Sequence, residues 1–256
     1  MKGIDVSTLQ GHIDWQRVVD DGIDFAMIKA TQGRGEGATT RHLRRFRDSR
    51  FAENIVGASA AGIQCGVYHY FTAQNATEAR AEADYFCDAL DPYKSRIKLW
   101  AAVDVESYTY LGSMSKYALT MAVRAFLDRV EQRGYKPMLY TNPDFLTYRL
   151  SESARGDVDI WLAHYGVDKP MEVPRMQMWQ YGTDTVDGIR AEVDVNEGYF
   201  APAPYYKVGG KYTISPSDVY TNDRPVPERL YGKEYTISQV WDDRILLREI
   251  ASWIKI

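Results

Sequence analysis

Leu99-Trp100-Ala101-Ala102-Val103-Asp104-Val105-Glu106-Ser107-Tyr108 is the stretch on which the fold of this chain turns. Its first half is apolar, and two carboxylates one residue apart follow. Side chains alternate across a β-strand, so Asp104 and Glu106 face one way while Val103 and Val105 face the other. A core gains nothing from two acids on one face at the end of an apolar strand. Like charges that close push one pKa upward, so one carboxyl can hold a proton while its neighbour stays ionised. Acid-assisted cleavage of a glycosidic bond calls for such a pair. A buried structural acid pair is the plain alternative.

Working outward from that strand, eight short apolar segments recur, at 3–7, 25–31, 66–72, 99–107, 137–141, 159–165, 177–181 and 192–195. Helical patterns separate the first five. They are 14–21, an Ala-rich 50–61, 75–90 with Ala76, Ala79, Ala83 and Phe86 on one face, 113–133 between a Ser cap and Gly134, and 143–149. Past Asp159, strands follow one another through loops. The alternation predicts an α/β fold: an irregular, TIM-like (β/α)-barrel of eight strands and about five helices, with an open doubly wound sheet as the alternative. In a barrel the first and eighth strands are neighbours, and both carry an acid near the C-terminal end, Asp5 and Asp194. Closure gathers Asp5, Asp104, Glu106 and Asp194 at the C-terminal mouth, where such folds keep their chemistry.

Length and composition allow one large core and a small second unit, with 256 residues of which 45% are hydrophobic. Ala201-Pro202-Ala203-Pro204 is a stiff linker, which divides the chain into 1–200, a linker at 201–205, and 206–256. In the tail, 211–214, 218–220, 234–240, 245–249 and 253–256 alternate between turn residues and predict a small all-β barrel. A net charge of −4 argues against nucleic acid as a partner. Cys65 and Cys87 read as reduced thiols, although a bridge between them stays open. Without C-x-x-C or ligand-spaced His, no metal and no cofactor are expected, and His69 and His164 read as hydrogen-bonded structural histidines. No apolar run approaches the ~20 residues of a membrane span, so no membrane insertion is expected. The segment Met1-Lys2-Gly3-Ile4-Asp5-Val6-Ser7 lacks a signal-peptide core and reads as a strand, which predicts synthesis in the cytoplasm without a signal peptide.

Seven motifs occur in order: Gly3-Ile4-Asp5-Val6-Ser7, Ile28-Lys29-Ala30-Thr31, Gly66-Val67-Tyr68-His69-Tyr70, Val103-Asp104-Val105-Glu106, Tyr140-Thr141-Asn142, Trp161-Leu162-Ala163-His164-Tyr165 and Gln177-Met178-Trp179-Gln180-Tyr181. Over about residues 1–200 this set resembles the family 25 glycoside hydrolases, the Ch-type lysozymes. The resemblance implies an irregular barrel and an N-acetylmuramidase cutting the β-1,4 bond between N-acetylmuramic acid and N-acetylglucosamine in bacterial peptidoglycan. The tail resembles, more loosely, the SH3-like wall-binding modules of cell-wall hydrolases and phage lysins. Two departures stand out. Members of the family often have an acid after Lys-Ala-Thr, where this chain has Gln32, and 33–47 is longer than usual on the active rim.

The resemblance places the general acid at Glu106, with Asp104 beneath it supplying the like charge that raises its pKa. Asp104 then stays ionised, to stabilise an oxocarbenium-like transition state or orient the N-acetyl group. Asp5 and Asp194 flank the cleavage site, holding water or the 2-acetamido group, unless either is a hydrogen-bonded structural acid. Two routes stay open, attack by the substrate's own N-acetyl group or inversion through an activated water. Tyr140, Trp161, Tyr165 and Gln180, at or near strand ends, are candidates for lining a sugar groove, as are Tyr68 and Tyr70, which share a face. The basic run Arg41-His42-Leu43-Arg44-Arg45-Phe46-Arg47 is a solvated helical face by default and otherwise a grip on anionic wall polymer. A family 18 chitinase is disfavoured, because its strand motif needs acids where Leu99 and Ala102 stand. A catalytically silent wall-binding protein is the rival from another class. A wall enzyme lacking a signal peptide is expected to be a phage or prophage endolysin released through a holin, or else a signal-less autolysin. Oligomeric state is left open.

Overall fold

The computed structural model describes residues 1–33, 46–201, 206, 208–241 and 244–256. The chain divides into two compact units, Met1–Pro202 and Ala203–Ile256. Among the described residues the first contains nine strands. They are β1 (Lys2–Val6), β2 (Phe25–Gln32), β3 (Phe46–Arg47), β4 (Gln64–Tyr70), β5 (Ile97–Asp104), β6 (Pro137–Thr141), β7 (Asp159–Ala163), β8 (Met176–Asp184) and β9 (Val193–Gly198). Eight of them form a closed ring in the order β1-β9-β8-β7-β6-β5-β4-β2, sealed by parallel pairing of β1 with β2, and two-residue β3 hangs antiparallel on β2. The ring excludes the open sheet.

The pairing is parallel from β1 through β2 and β4 to β8, then reverses, since β9 runs antiparallel to both β8 and β1. Chain length explains the reversal. A parallel return needs a crossover of about a dozen residues or more, which 164–175 supplies before β8, whereas 185–192 is too short before β9. Asp194 therefore sits at the start of its strand and not, as expected, near its C-terminal end. Because β9 is inverted, that start lies at the same mouth, and Asp194 faces Asp5 across the ladder.

Helices α1 (Trp15–Asp20), α2 (Phe51–Ala61) and α3 (Ala76–Leu90) follow their predicted spans closely, with Asp14 and Asn75 capping the first and third. The expected helix at 113–133 is α5 (Lys116–Gln132), with Ser115 rather than Ser113 as the cap, its hydroxyl accepting from the Ala118 amide, and a short α4 (Tyr108–Leu111) ahead of it was not foreseen. The span 143–149 holds a single π-turn, Phe145–Arg149, and a short α6 (Glu152–Arg155) was not foreseen.

Two apolar layers result. Outward residues such as Ile28, Val103 and Val105 pack with the helices, while inward Phe25, Met27, Ala102, Met138 and Trp161 fill the ring. Each fully buried large side chain contributes about 1.5–3 kcal/mol. Gly3 and Gly66 make room inside, since a Cβ would lie 2.2 Å from the Phe25 ring or 2.3 Å from Met27 Sδ. Ala102 inside and Val103 outside show the period of two that aims Asp104 into the barrel.

In the second unit β10 (Lys211–Thr213), β11 (Glu234–Trp241), β12 (Arg244–Leu247) and β13 (Ser252–Lys255) form one antiparallel sheet in chain order, over a core that includes Ile214, Tyr235, Ile237, Ile245 and Ile254. The predicted strand at 218–220 supplies only isolated bridges, from Val219 to Pro225 and from Tyr220 to Ile254. Most of the rim segment 33–47 with its basic run, and of the linker 201–205, lies outside the described residues. Cys65 and Cys87 are buried free thiols. Among the described residues no helix is long and apolar enough to cross a membrane, and no cluster of three or more His, Cys, Asp or Glu could hold a metal ion.

Candidate active site

At the C-terminal mouth a cleft is lined by Asp5 from β1, Tyr68 and Tyr70 from β4, Asp104 from β5, Tyr140 from β6, Trp161 from β7, Gln180 from β8 and Asp194 from β9. Glu106 joins them from just beyond β5. The strand stops at Asp104, yet the extended run continues. The Val105 amide donates to the Tyr140 carbonyl at 3.0 Å, and its carbonyl accepts from Thr141 Oγ1 at 2.8 Å. Asp104 and Glu106 keep the same facing for that reason. Tyr165 stands at the edge, its hydroxyl 2.8 Å from Gln180 Oε1 and 3.1 Å from Asp194 Oδ1.

Two amides organise the floor. Gln180 Nε2 and Asn196 Nδ2 both donate to Asp5 Oδ2, at 2.8 and 2.9 Å. Gln180 Oε1 accepts from Tyr140 at 2.9 Å, and Asn196 Oδ1 accepts from Trp161 Nε1 at 2.7 Å. The Tyr140 hydroxyl also lies 3.3 Å from Glu106 Oε2. Trp161 packs edge-on against Tyr140 and Tyr68, with ring centroids 4.5 and 6.1 Å apart.

Burial raises all four acids. Asp5 is pushed up to about 8, by burial first and by Asp194 second, against the two amide hydrogen bonds. Asp104 goes well above the usual carboxylate range through burial and then through Glu106, with Lys29 opposing. Glu106 is raised by burial, opposed by the Tyr140 hydrogen bond, and raised further by Asp194. Asp194, half-buried, is raised by burial against the Tyr165 hydrogen bond. Burial and Asp194 push Glu106 up, and the repulsion between Asp104 and Glu106 acts on the pair as a whole. Asp104 is the deeper of the two, 6% exposed inside the ring, where its Oδ1 accepts no hydrogen bond from the described residues. Burial also raises Tyr68 and Tyr140, which keeps their hydroxyls available as donors.

Sequence reasoning missed Lys29, Asn196, Ser7, Leu9 and Gln10. Lys29 shares the inward parity of Phe25 and Met27, so a charge on that face of an apolar strand was the available signal. Asn196 shares the parity of Asp194 but falls past the predicted strand end at 195. His69 is a structural histidine, fully buried between Thr31 and Glu82, and His164 Nδ1 accepts from the Met171 amide.

The barrel mouth thus gathers four carboxyls and several aromatic rings at the end where barrel folds carry their chemistry. The model of the glycosyl hydrolases family 25 matches residues 4–188, and the chain belongs to that family. It is 32% identical over 217 residues to an autolytic lysozyme of Clostridium acetobutylicum, covering 84% of this chain and 60% of that protein. It is 31% identical over 212 residues to lysozyme M1 of Streptomyces globisporus, covering 77% of this chain and 67% of that one. The crystal structure of a bacterial lysozyme from Streptomyces coelicolor matches with a TM-score of 0.62 at 27% identity, over 78% of this chain and 93% of that one.

Proposed function

We propose that the protein is an N-acetylmuramidase that cleaves the β-1,4 bond between N-acetylmuramic acid and N-acetylglucosamine in bacterial peptidoglycan, with Glu106 as the general acid. Family membership supports the substrate class. The observation that carries the assignment of Glu106 is its place: half-buried at the mouth of the cleft, with a raised pKa and with Asp104 deeper in the same cleft. The Glu106 proton passes to the glycosidic oxygen as the C1–O bond breaks. Positive charge grows on the sugar, and the Asp104 carboxyl, on the same face of the extended run, stabilises it to the extent that it has given up its proton. Asp194, held by Tyr165 and more accessible than Asp5, orients the 2-acetamido group or a water at C1. Asp5, with one oxygen committed to two amides, holds the floor in place.

Mass spectrometry of digested peptidoglycan tests this reading. Fragments with muramic acid at the reducing end are expected. Reducing-end glucosamine, a freed peptide stem or no release at all would overturn it. The second unit, which exposes Trp241 beside Arg244, attaches the enzyme to the wall in an SH3-like manner. Deleting 206–256 is expected to lower binding to whole walls and spare cleavage of small soluble glycans. The setting we favour is a phage or prophage endolysin released through a holin. A holin-like gene beside its own supports that, and expression in uninfected growth favours a bacterial autolysin of the same chemistry.

A further inference from the structure

One aliphatic side chain lines a cleft otherwise built of polar groups and aromatic rings. Among the described residues it is Leu9, which follows β1 on a 3₁₀ turn, Thr8–Gln10. It is 81% exposed, the most exposed large apolar side chain described. A lone leucine in solvent is ordinary. What sets this one apart is how its turn is held. The Leu9 amide donates to Ser7 Oγ at 3.2 Å, and the Ser7 amide donates to Gln10 Oε1 at 2.8 Å. On one flank the Thr8 amide donates to Asp48 Oδ2 at 2.9 Å, and the Thr8 and Ser49 hydroxyls meet at 2.8 Å. On the other, Gln10 Nε2 donates to the Glu192 carbonyl at 3.3 Å, just before β9. Ser7, Thr8 and Gln10 fix the turn, and Leu9 stands on the lip with no core to enter. So exposed a side chain adds little to stability. A ligand that covers it gains more, because a contact already fixed in place loses little entropy on binding.

The place of that lip selects the group that covers it. β1 lies beside β9, and Asp5 pairs with Asp194 across their ladder, so Leu9 rises on the Asp194 side of the cleft. Glu106 stands across the ring, with β2 and β4 between β1 and β5. On the muramidase reading, the sugar whose C1–O bond breaks lies between those two acids, with C1 or its 2-acetamido group toward Asp194. That sugar is N-acetylmuramic acid. Its C3, next to C2, carries the lactyl ether, which has a free methyl group and a carboxyl that continues into the peptide stem. Because the stem runs on into the wall, this arm leaves the cleft over a lip and not into the floor. Tyr165 flanks Asp194 with its hydroxyl already engaged by Gln180 and Asp194. The β1 lip offers the aliphatic surface that a methyl group fits.

We propose that Leu9 is a specificity-determining contact for the lactyl methyl at the root of the peptide stem, so that the cleft favours muramic acid over N-acetylglucosamine beside Asp194. This role rests on the muramidase reading, and the test keeps the two apart.

The full-length protein is compared with Leu9→Ser and Leu9→Met on two ligands. One is a soluble peptidoglycan fragment bearing its stems. The other is a chito-oligosaccharide of equal length, which has the acetamido groups and no lactyl arm. Kd is measured by calorimetry with Glu106→Gln added to each protein so that no bond is cut, and kcat and KM are measured without it. Leu9→Ser should weaken binding of the stem-bearing fragment about tenfold and raise its KM alike, with kcat nearly unchanged. The chito-oligosaccharide Kd should stay that of the parent, Leu9→Met should restore binding to within about twofold, and the melting temperature should not move. An unmoved Kd for the stem-bearing fragment overturns the inference. Equal weakening of both ligands does so too, since Leu9 would then touch the sugar ring, as does a loss confined to kcat. If the chito-oligosaccharide binds none of the proteins, the stem-bearing fragment decides, by whether Leu9→Met restores what Leu9→Ser loses. Stem-specific weakening in a protein that releases no reducing-end muramic acid keeps the contact and removes the muramidase reading. Muramidase products with an unmoved Kd do the reverse.

Discussion

Glu82 on α3 and Asp104 on β5 are both buried, 0% and 6% exposed, one in the helix layer and one inside the ring. Around Glu82 every neighbour is a donor. Its Oε2 accepts from the Thr72 amide at 3.1 Å and from His69 Nε2 at 3.0 Å, while Oε1 accepts from the Thr72 hydroxyl at 2.7 Å. Thr31 completes the chain, its hydroxyl donating to His69 Nδ1 at 2.8 Å. Around Asp104 stand Glu106, Lys29 and Asp5, with Oδ1 lacking any described donor. The first acid is satisfied as a structural group should be. The second is left in a state that costs stability, and such exceptions gather where a fold does chemistry.

The largest effect that could break this contrast is on activity. Glu106→Gln should lower kcat about 10²–10⁴-fold while the melting temperature stays that of the parent. An equal loss of stability would mean that Glu106 serves the fold. Next comes the pair itself. Removing Glu82 with Ala leaves His69 and Thr72 without their acceptor and should cost about 3–5 kcal/mol in urea unfolding. Asp104→Asn should inactivate the enzyme yet hold its stability or raise it by about 1 kcal/mol. Similar destabilisation by both would erase the distinction.

pH sharpens it further. Asp5 keeps its proton in the folded protein up to about 8, whereas a free carboxyl gives it up near 3.8. Between those values the folded state binds the extra proton, so stability falls as pH rises, by up to about 1.4 kcal/mol per pH unit, and levels off above the upper value. Asp104, Glu106 and Asp194, all raised, add in the same sense. Urea melts from pH 5 to 8 should show this slope, and Asp5→Asn should flatten it. The smallest effect is that of Tyr165→Phe, which deletes the hydroxyl between Gln180 and Asp194 and should cost about 1 kcal/mol of transition-state stabilisation, near fivefold in kcat/KM. A change greater than tenfold would move Tyr165 from the rim into the chemistry.

The sequence by itself determined what depends on local period and local chemistry. Alternation put Asp104 opposite Val103, apolar runs marked the strands of the ring, and caps such as Asn75 started helices where they stand. These follow from neighbours along the chain. Tertiary structure alone decided the rest. Whether β9 returns parallel or antiparallel depends on the length of 185–192 measured against the ring it must close. The Gln180 and Asn196 amides meet at Asp5 only because β8, β9 and β1 are adjacent in that ring. How hard each acid is pushed depends on its depth and on which charges surround it, and both arise from residues as far apart as Asp5, Lys29, Glu106 and Asp194. Period is a property of a segment, whereas desolvation and the electric field are properties of the assembled barrel.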